Sequence, residues 1–389
     1  MSEIPMLDLS TRRRLHVVGA GGAGMSALAV ILAQMGHDVS GSESAQLPIL
    51  ERLRDAGVRI NLIQDGSVIT SDIDAVITST AVPSDNAELQ AAHHCGVAVL
   101  HRSVAQAAML RGRASVAIAG SHGKTTTTAM LAHILKVLDP SSSAFMGADL
   151  NGGTNGWFNG GQRFVMEADE SDGTFRLLSP QIGVITNIEP DHLEHHADFD
   201  HLVASFEAFA EENIQQLAIL NGDDQRCRAI AQRRGDGTVC VGHSDQCTWQ
   251  IIEERCAPEA STALVRTPEG ELHVAVPVPG AHNIMNATMA LAAGNALELE
   301  MDAMRDALTT YPGVARRFTR RDRDDGVIVV DDYAHLPTEV TVTLDAARRL
   351  GPGPLIAVFQ PHRYSRTQTL ARDFQDCFGD ANHVIITAI

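Results

Sequence analysis

The stretch VAIAGSHGKTTTTA, Val116 to Ala129, decides how this chain is to be read. Val116–Ala119 is a short apolar run of the kind that forms a buried strand. Gly120 and Gly123 then frame a turn, Lys124 and four threonines follow, and an apolar helical pattern begins. Strand, glycine turn and helix in that order predict a phosphate loop. Its backbone N–H groups would cradle a polyphosphate at a helix N-terminus, with Lys124 on the terminal phosphates and the Thr125 hydroxyl on Mg²⁺. The usual loop carries another glycine at position 118, where this chain has Ile118. The match is therefore to a shortened form, Gly120-x-x-Gly123-Lys124-Thr125.

Around that stretch the composition is that of a multidomain enzyme. At 389 residues the chain exceeds what one core holds, so two or three domains are expected. Hydrophobic residues make up 44% and charged residues 20%, which excludes a disordered chain. A formal net charge of −18 argues against nonspecific nucleic-acid binding. The arginine clusters at 12–14 and 316–323 are local features, suited to a small anion. Six cysteines without C-x-x-C spacing read as reduced thiols. There is no cationic-then-apolar leader, and no apolar run approaches the ~18 residues of a membrane span, so a cytoplasmic protein without a membrane partner is expected.

Over the first hundred residues, strand signals at Leu15–Gly19, His37–Ser40, Ala75–Ser79 and Val97–Leu100 alternate with helical ones at Met25–Met35, Leu47–Ala56 and Glu88–His94. Such βα repeats predict a parallel sheet covered by helices. After the phosphate loop come strands at Phe164–Glu167, Ile182–Asn187 and Leu217–Asn221, and a long helix at Phe199–Asn213. A β-rich stretch from Val239 to Val278 and a helix at Asn283–Leu299 follow. Strands at Gly326–Val330, Leu355–Phe359 and His383–Thr387, with helices at Thr338–Leu350 and Leu370–Phe378, make a third α/β unit. Its three strands are expected to leave one parallel edge exposed.

Four constellations carry chemistry. Gly19-Ala20-Gly21-Gly22-Ala23-Gly24 is a literal G-x-G-x-x-G between strand and helix, with Glu43 closing the next strand. It reads as an NAD or FAD site, as a plain tight turn, or as a turn for another diphosphate such as that of a UDP-sugar. Glu167-Ala168-Asp169-Glu170-Ser171-Asp172 delivers carboxylates, the hard ligands Mg²⁺ prefers, to a strand end beside the phosphate loop. Asp191 and His192, after another strand, are expected at the same sheet edge. His192, His195 and His196 lack the spacing of an H-E-x-x-H zinc site, and His195 and His196 are expected on the surface. Last, HNIMN (282–286), RRF (316–318), DDYAHLPTE (331–339) and QPHRYSRT (360–367) set polar groups at helix starts or strand ends.

Taken in order, these motifs, from GAGGAGM at the start to QPHRYSRT near the end, resemble the Mur ligases of bacterial cell-wall synthesis. The resemblance covers essentially the whole chain, and the GGAGM start and QPHRYSRT point to the alanine-adding branch. It implies three domains: a Rossmann-like N-terminal domain (1–110) for a UDP substrate, a P-loop-type central ATPase domain (111–313), and a partial Rossmann-like C-terminal domain (314–389) that brings the amino acid and closes on ATP. It settles the glycine loop (Gly19, Ala20, Gly21, Gly22, Ala23, Gly24 and Met25) as the UDP-substrate turn. The implied ATP site comprises Gly120, Ser121, His122, Gly123, Lys124, Thr125, Thr126, Asn283, Asn286, Arg317, Asp332 and His335. Thr125 and Glu167 would hold one Mg²⁺ and His192 a second. Lys124, Glu167, His192 and Arg317 would be catalytic, with Arg363 and Arg366 on the amino-acid side. The substrates implied are UDP-N-acetylmuramate, L-alanine and ATP, in a monomer or weak homodimer. A ligase that recycles murein tripeptide onto the same nucleotide sugar is the alternative within enzymes. A nicotinamide-dependent oxidoreductase and a non-catalytic binding protein are the alternatives from other classes. The chain departs from the family pattern at Leu336, where a second histidine is usual, at Gln64-Asp65-Gly66, and at Glu43. With its third unit short, the chain is expected to bind both nucleotides and to ligate poorly.

Overall fold

The computed structural model describes residues 6–191, 196 and 198–389. His192 and His195 lie outside the described residues.

The first unit runs β1 (Arg14–Val18), α1 (Ala23–Gln34), β2 (Asp38–Ser42), α2 (Ile49–Asp55), β3 (Arg59–Asn61), β4 (Ala75–Thr78), α3 (Ala87–Cys95), β5 (Ala98–His101) and α4 (Arg102–Leu110). Its five strands are all parallel, in the order β3-β2-β1-β4-β5. The short β3 escapes a reading by pattern, because Arg59 and Asn61 flank a single apolar residue.

The second unit starts with β6 (Ala114–Ala119), α5 (Lys124–Leu138), β7 (Ser143–Phe145), β8 (Gly156–Trp157), β9 (Arg163–Glu167) and β10 (Ile182–Ile185). It continues with α6 (Phe199–Ala208), a π-helical turn at Phe209–Asn213, β11 (Leu217–Asn221), α7 (Gln225–Arg234) and β12 (Thr238–Gly242). β13 (Trp249–Cys256), β14 (Ser261–Thr267), β15 (Gly270–Val276), α8 (Ala281–Ala296) and α9 (Met301–Leu308) complete it. Ten strands form one sheet, β15-β14-β13-β12-β11-β10-β6-β9-β7-β8, with β6 near its middle. Alternation along β6 divides the interior. Val116 and Ile118 pack with Met130, Leu131 and Ile134 of α5, while Ala117 and Ala119 join a cluster that runs on into the first unit through Leu28 and Ile31. This central strand, buried on both faces, explains why its sequence reads as an unbroken apolar run.

The third unit departs from expectation. Its three predicted strands do not share a sheet. β17 (Ile328–Asp331) pairs antiparallel with β16 (Thr319–Asp322), and only β18 (Ile356–Phe359) and β19 (His383–Ile386) pair in parallel. Gly326 at φ +81° closes a tight hairpin, with its N–H donating to the Arg323 carbonyl. Local pairing of that kind closes a far shorter loop than a parallel crossover. α10 (Pro337–Arg348) forms as expected. The helix predicted at Leu370–Phe378 is replaced by α11 (Tyr364–Thr369) and a 3₁₀ turn at Asp373–Gln375. Phe374 and Phe378 still point inward, each 5.4 Å from Phe359, which accounts for the apolar spacing that suggested a helix.

Candidate active site

β6 ends at Ala119, and Gly120 (φ +133°) and Gly123 (φ +79°) turn the chain into α5 through backbone that only glycine adopts easily. The end of β10 grips this turn. Ser121 N–H donates to the Asn187 carbonyl (3.0 Å), His122 N–H to Asn187 Oδ1 (2.8 Å), and Asn187 Nδ2 donates back to the His122 carbonyl (3.0 Å). Ser121 Oγ and the Glu189 backbone exchange two further bonds, 2.9 and 2.8 Å. The N–H groups of Ser121 and His122 are therefore spent on the protein. Those left for a phosphate are the ones that open α5, from Lys124 to Thr126, which have no partner in the helix. A Cβ on Gly120 would stand 2.1 Å from Thr186 Oγ1. Gly120→Ala is expected to destabilise the fold by ~2 kcal/mol or more, from strained φ together with this clash, and to lower the thermal midpoint. An unchanged midpoint would show that the turn can relax.

Lys124 lies along its own loop, donating to the carbonyls of Gly120 and Ser121 and to Glu170 Oε1 at 2.9 Å. Burial depresses its ammonium, but Glu170, Asp169 and Glu167 reverse that and hold it above its ordinary value. Glu170 is fully buried, and burial lifts its carboxyl to about 7 against the pull of Lys124, with Asp169 adding to the rise. His196 is buried too, its Nε2 3.0 Å from the Glu170 carbonyl, so it is not the surface residue expected.

The acidic run at 167–172 divides its labour. Besides Glu170 on Lys124, Glu167 joins the head of α5: its Oε1 accepts from Thr125 Oγ1 (2.9 Å) and its Oε2 from Gly147 N–H (2.6 Å). Two hard oxygens, one hydroxyl and one carboxylate, at the first turn of α5 suit Mg²⁺. Asp169 and Asp172 face the first unit instead, where Arg102 binds them at 2.6 and 3.6 Å. His101 stands 3.4 Å from Asp172. The acidic cluster is thus not one metal site, because two of its carboxylates are already paired with cations across the junction between the first two sheets.

A cavity of about 370 Å³ opens over the loop. Gly123, Lys124 and Thr125 line one end, Asn283 and Asn286 of α8 a wall, and Arg317, Asp332 and Glu339 the far side. Asn286 Oδ1 accepts from Thr127 Oγ1 at 3.2 Å, which fixes α8 against α5. Asp332, whose carboxyl burial raises, accepts from the Phe318 and Ala334 N–H groups at 2.7 Å each. It shapes the loop carrying Arg317 rather than facing the cavity as a free charge. Arg316 and Phe318 on either side of Arg317 hold left-handed backbone (φ +59° and +49°), strain that commonly marks a functional segment. His335 stands edge-on to Tyr333 and is absent from the cavity wall. Arg366 is buried, with Nε and Nη2 both on Asp191 Oδ1 (3.1 and 2.9 Å). The pair pins the third unit to the second.

In the first unit Gly19 (φ +68°) makes the tight turn, and Gly21 N–H donates to Glu43 Oε2 at 3.0 Å. The acidic residue that a dinucleotide reading assigns to a ribose is here bonded to the glycine loop. Gly24 lies beside Arg102, so the loop borders the junction with the acidic run.

Family models match the chain in three consecutive parts: "Mur ligase family, catalytic domain" over residues 14–114, "Mur ligase middle domain" over 118–294 and "Mur ligase, glutamate ligase domain" over 316–388. A UDP-N-acetylmuramate–L-alanine ligase of Kineococcus radiotolerans is 41% identical over 386 residues, 96% of this chain and 81% of that protein. One of Rhodopseudomonas palustris is 37% identical over 385 residues, 96% of this chain and 82% of its own length. The chain is a Mur ligase. Among solved structures, UDP-N-acetylmuramate-alanine ligase of Thermotoga maritima superposes with TM-score 0.82 at 30% identity, over 97% of this chain and 86% of that one. A murein peptide ligase of Psychrobacter arcticus shares the fold at TM-score 0.76 and 23% identity, over 96% and 84%.

In this Mur ligase the departures from the family pattern find local roles. Leu336 is buried at the head of α10, and Gln64 Nε2 donates to Ser42 Oγ (3.3 Å), itself bonded to the buried Glu88. The sequence reading missed Asn187 and Glu189 as holders of the loop, and Asn221, His243, Tyr311 and Phe318 as cavity wall. Asn187 and Glu189 stand just before Asp191 and His192, at the end of the same strand. Phe318 lies in the RRF run, while no local signal marks Asn221, His243 or Tyr311, which come from separate elements.

Proposed function

We propose that this chain joins L-alanine to the lactyl carboxylate of UDP-N-acetylmuramate, converting ATP to ADP and phosphate, in peptidoglycan precursor synthesis in the cytoplasm. The observation that carries the reading is the single cavity in which a phosphate loop, the α8 asparagines and Arg317 meet. The names of the 37–41% identical relatives supply the substrates. The chain would divide into a UDP-substrate unit (1–110), an ATP unit (111–313) and a closing unit (314–389). The sheets fall within these bounds.

A carboxylate does not exchange its oxygen for an amine at neutral pH, so it must first be activated. In-line attack of the lactyl carboxylate on the γ-phosphate gives an acyl phosphate and ADP. The amine of L-alanine then attacks the acyl carbon, and phosphate leaves. Lys124 and Arg317 would spread the charge of the transferring group. Thr125 and Glu167 would hold one Mg²⁺ and His192 a second, and these ions would supply further neutralisation of the phosphates. The glycine loop at 19–25 would seat the UDP diphosphate, and Arg363 the amino-acid side. Arg366, already paired with Asp191, would act there by holding its segment in place. Contact between the second and third units would keep water from the acyl phosphate.

ADP release measured with UDP-N-acetylmuramate and a panel of amino acids and murein tripeptide tests the reading. Release that depends on both the nucleotide sugar and L-alanine is expected. Preference for tripeptide would move the assignment to the recycling ligase, and nicotinamide-cofactor binding in a calorimeter would support an oxidoreductase instead.

A further inference from the structure

The third residue of the phosphate loop, His122, is tied to the third unit. His122 Nε2 lies 3.1 Å from Glu189 Oε2, and its Nδ1 lies 3.3 Å from Glu339 Oε1, 217 residues away in sequence. Two ring nitrogens can donate to two carboxylates only when both carry protons, so the geometry is that of an imidazolium. Burial alone would lower the His122 pKa, but the hydrogen bonds it donates to Glu189 and Glu339 raise it to about 9. Glu339 is committed on every side. Arg317 stands 3.7 Å from its Oε1, and its Oε2 accepts from the N–H groups of His335 (2.9 Å) and Leu336 (3.3 Å) at the head of α10. Thr338 Oγ1 also donates to Glu189 Oε2 at 3.0 Å. The same His122 has its main chain locked by Asn187, one residue before Gly123. A shift of α10 is thus carried through one side chain to the backbone that starts α5.

We propose that His122 is a positioning residue that makes the shape of the phosphate loop depend on the seating of α10, so that γ-phosphate transfer and closure over the acyl phosphate occur together. This deepens the ligase reading above and rests on it for the chemistry. With the link broken, the third unit can lift while the acyl phosphate is present. Water then attacks the acyl carbon, returning carboxylate and phosphate, and ATP is consumed without amide.

The test uses the 389-residue chain with Glu339→Gln, His122→Gln and the double variant. Gln at 339 keeps an oxygen for the His335 and Leu336 N–H groups and removes the charge, so α10 keeps its cap. Hydrogen exchange without ligands is the first readout. Each single variant is expected to speed exchange ~5-fold or more in both 120–127 and 336–343, since each removes the same bridge. Faster exchange only in the segment that carries the substitution overturns the proposal. The second readout is ADP formed per amide with ATP, UDP-N-acetylmuramate and L-alanine. The wild type should stay near one, while the variants rise to ~3 or more, and the double variant is no worse than His122→Gln alone. Variants that remain at one beside a ligating wild type overturn the link and leave the ligase reading standing. A wild type that makes no amide overturns the ligase reading, and the exchange result then decides the link by itself.

Discussion

Lys124→Ala is expected to lower turnover by ~10²–10³-fold, the loss typical of removing one preorganised electrostatic group from a transition state. The structure adds a cost that the position of Lys124 in a loop does not suggest. Its ammonium is the partner of Glu170, which has no exposed surface, and Glu170 Oε2 has no hydrogen-bond partner among the described residues. Removing the lysine leaves a buried carboxylate uncompensated, a change that commonly destabilises by ~3 kcal/mol unless the group takes up a proton. Lys124→Ala should therefore melt earlier than wild type, and more so as pH rises through the carboxyl's range. Glu170→Gln added to it should recover stability and leave turnover low. Thermal unfolding and ADP release, measured on the same preparations, separate the two effects. Turnover near wild type in Lys124→Ala would remove this residue from the phosphate site.

Glu167→Ala should be as damaging, by ~10²-fold or more in turnover, if Thr125 and Glu167 hold the metal that neutralises the phosphates. Glu167 is nearly buried, and it also ties the loop at Gly147 to the head of α5. Alanine deletes that tie along with a ligand. Glu167→Gln can keep both contacts, its oxygen accepting from the Gly147 N–H and its NH2 donating to Thr125 Oγ1, while weakening the affinity for a divalent cation. Gln is thus expected to restore folding stability, to leave turnover low, and to raise the Mg²⁺ concentration needed for half-maximal rate. If Gln were fully active at the wild-type Mg²⁺ requirement, the carboxylate would be structural, and the assignment of a metal to it would fail.

A milder effect should be visible in the pH dependence of stability. The folded His122 pKa, about 9, lies above the ordinary histidine value of 6.5. Its contribution is therefore fully present below about pH 6.5 and disappears as pH climbs through 9. Glu189 and Glu339 face the ring, with Arg317 behind Glu339, so His122→Gln should flatten the loss of thermal midpoint between pH 7 and 10. An unchanged slope would place the proton elsewhere.

The sequence by itself determined the strand–loop–helix at 116–138, the βα alternation of the first unit and the family. These are local matters: an apolar run bounded by glycines fixes a buried strand and its turn, whatever surrounds it. It also identified residues that do meet, among them Lys124, Thr125, Glu167, Asn283, Asn286 and Arg317. Only the tertiary structure decided which partners they found. Asp169 and Asp172 look like metal ligands beside Glu167, yet the next strand-end over supplies Arg102, and a nearby cation outcompetes an isolated role. Arg366 reads as a free cation for substrate, yet the end of β10 offers Asp191 in a buried pocket. β17 carries a pattern fit for a parallel sheet, and a tight turn at Gly326 pairs it with β16 first. Composition and spacing report what a residue can do, while its charge state and its neighbours across hundreds of residues depend on which surfaces the folded chain brings together.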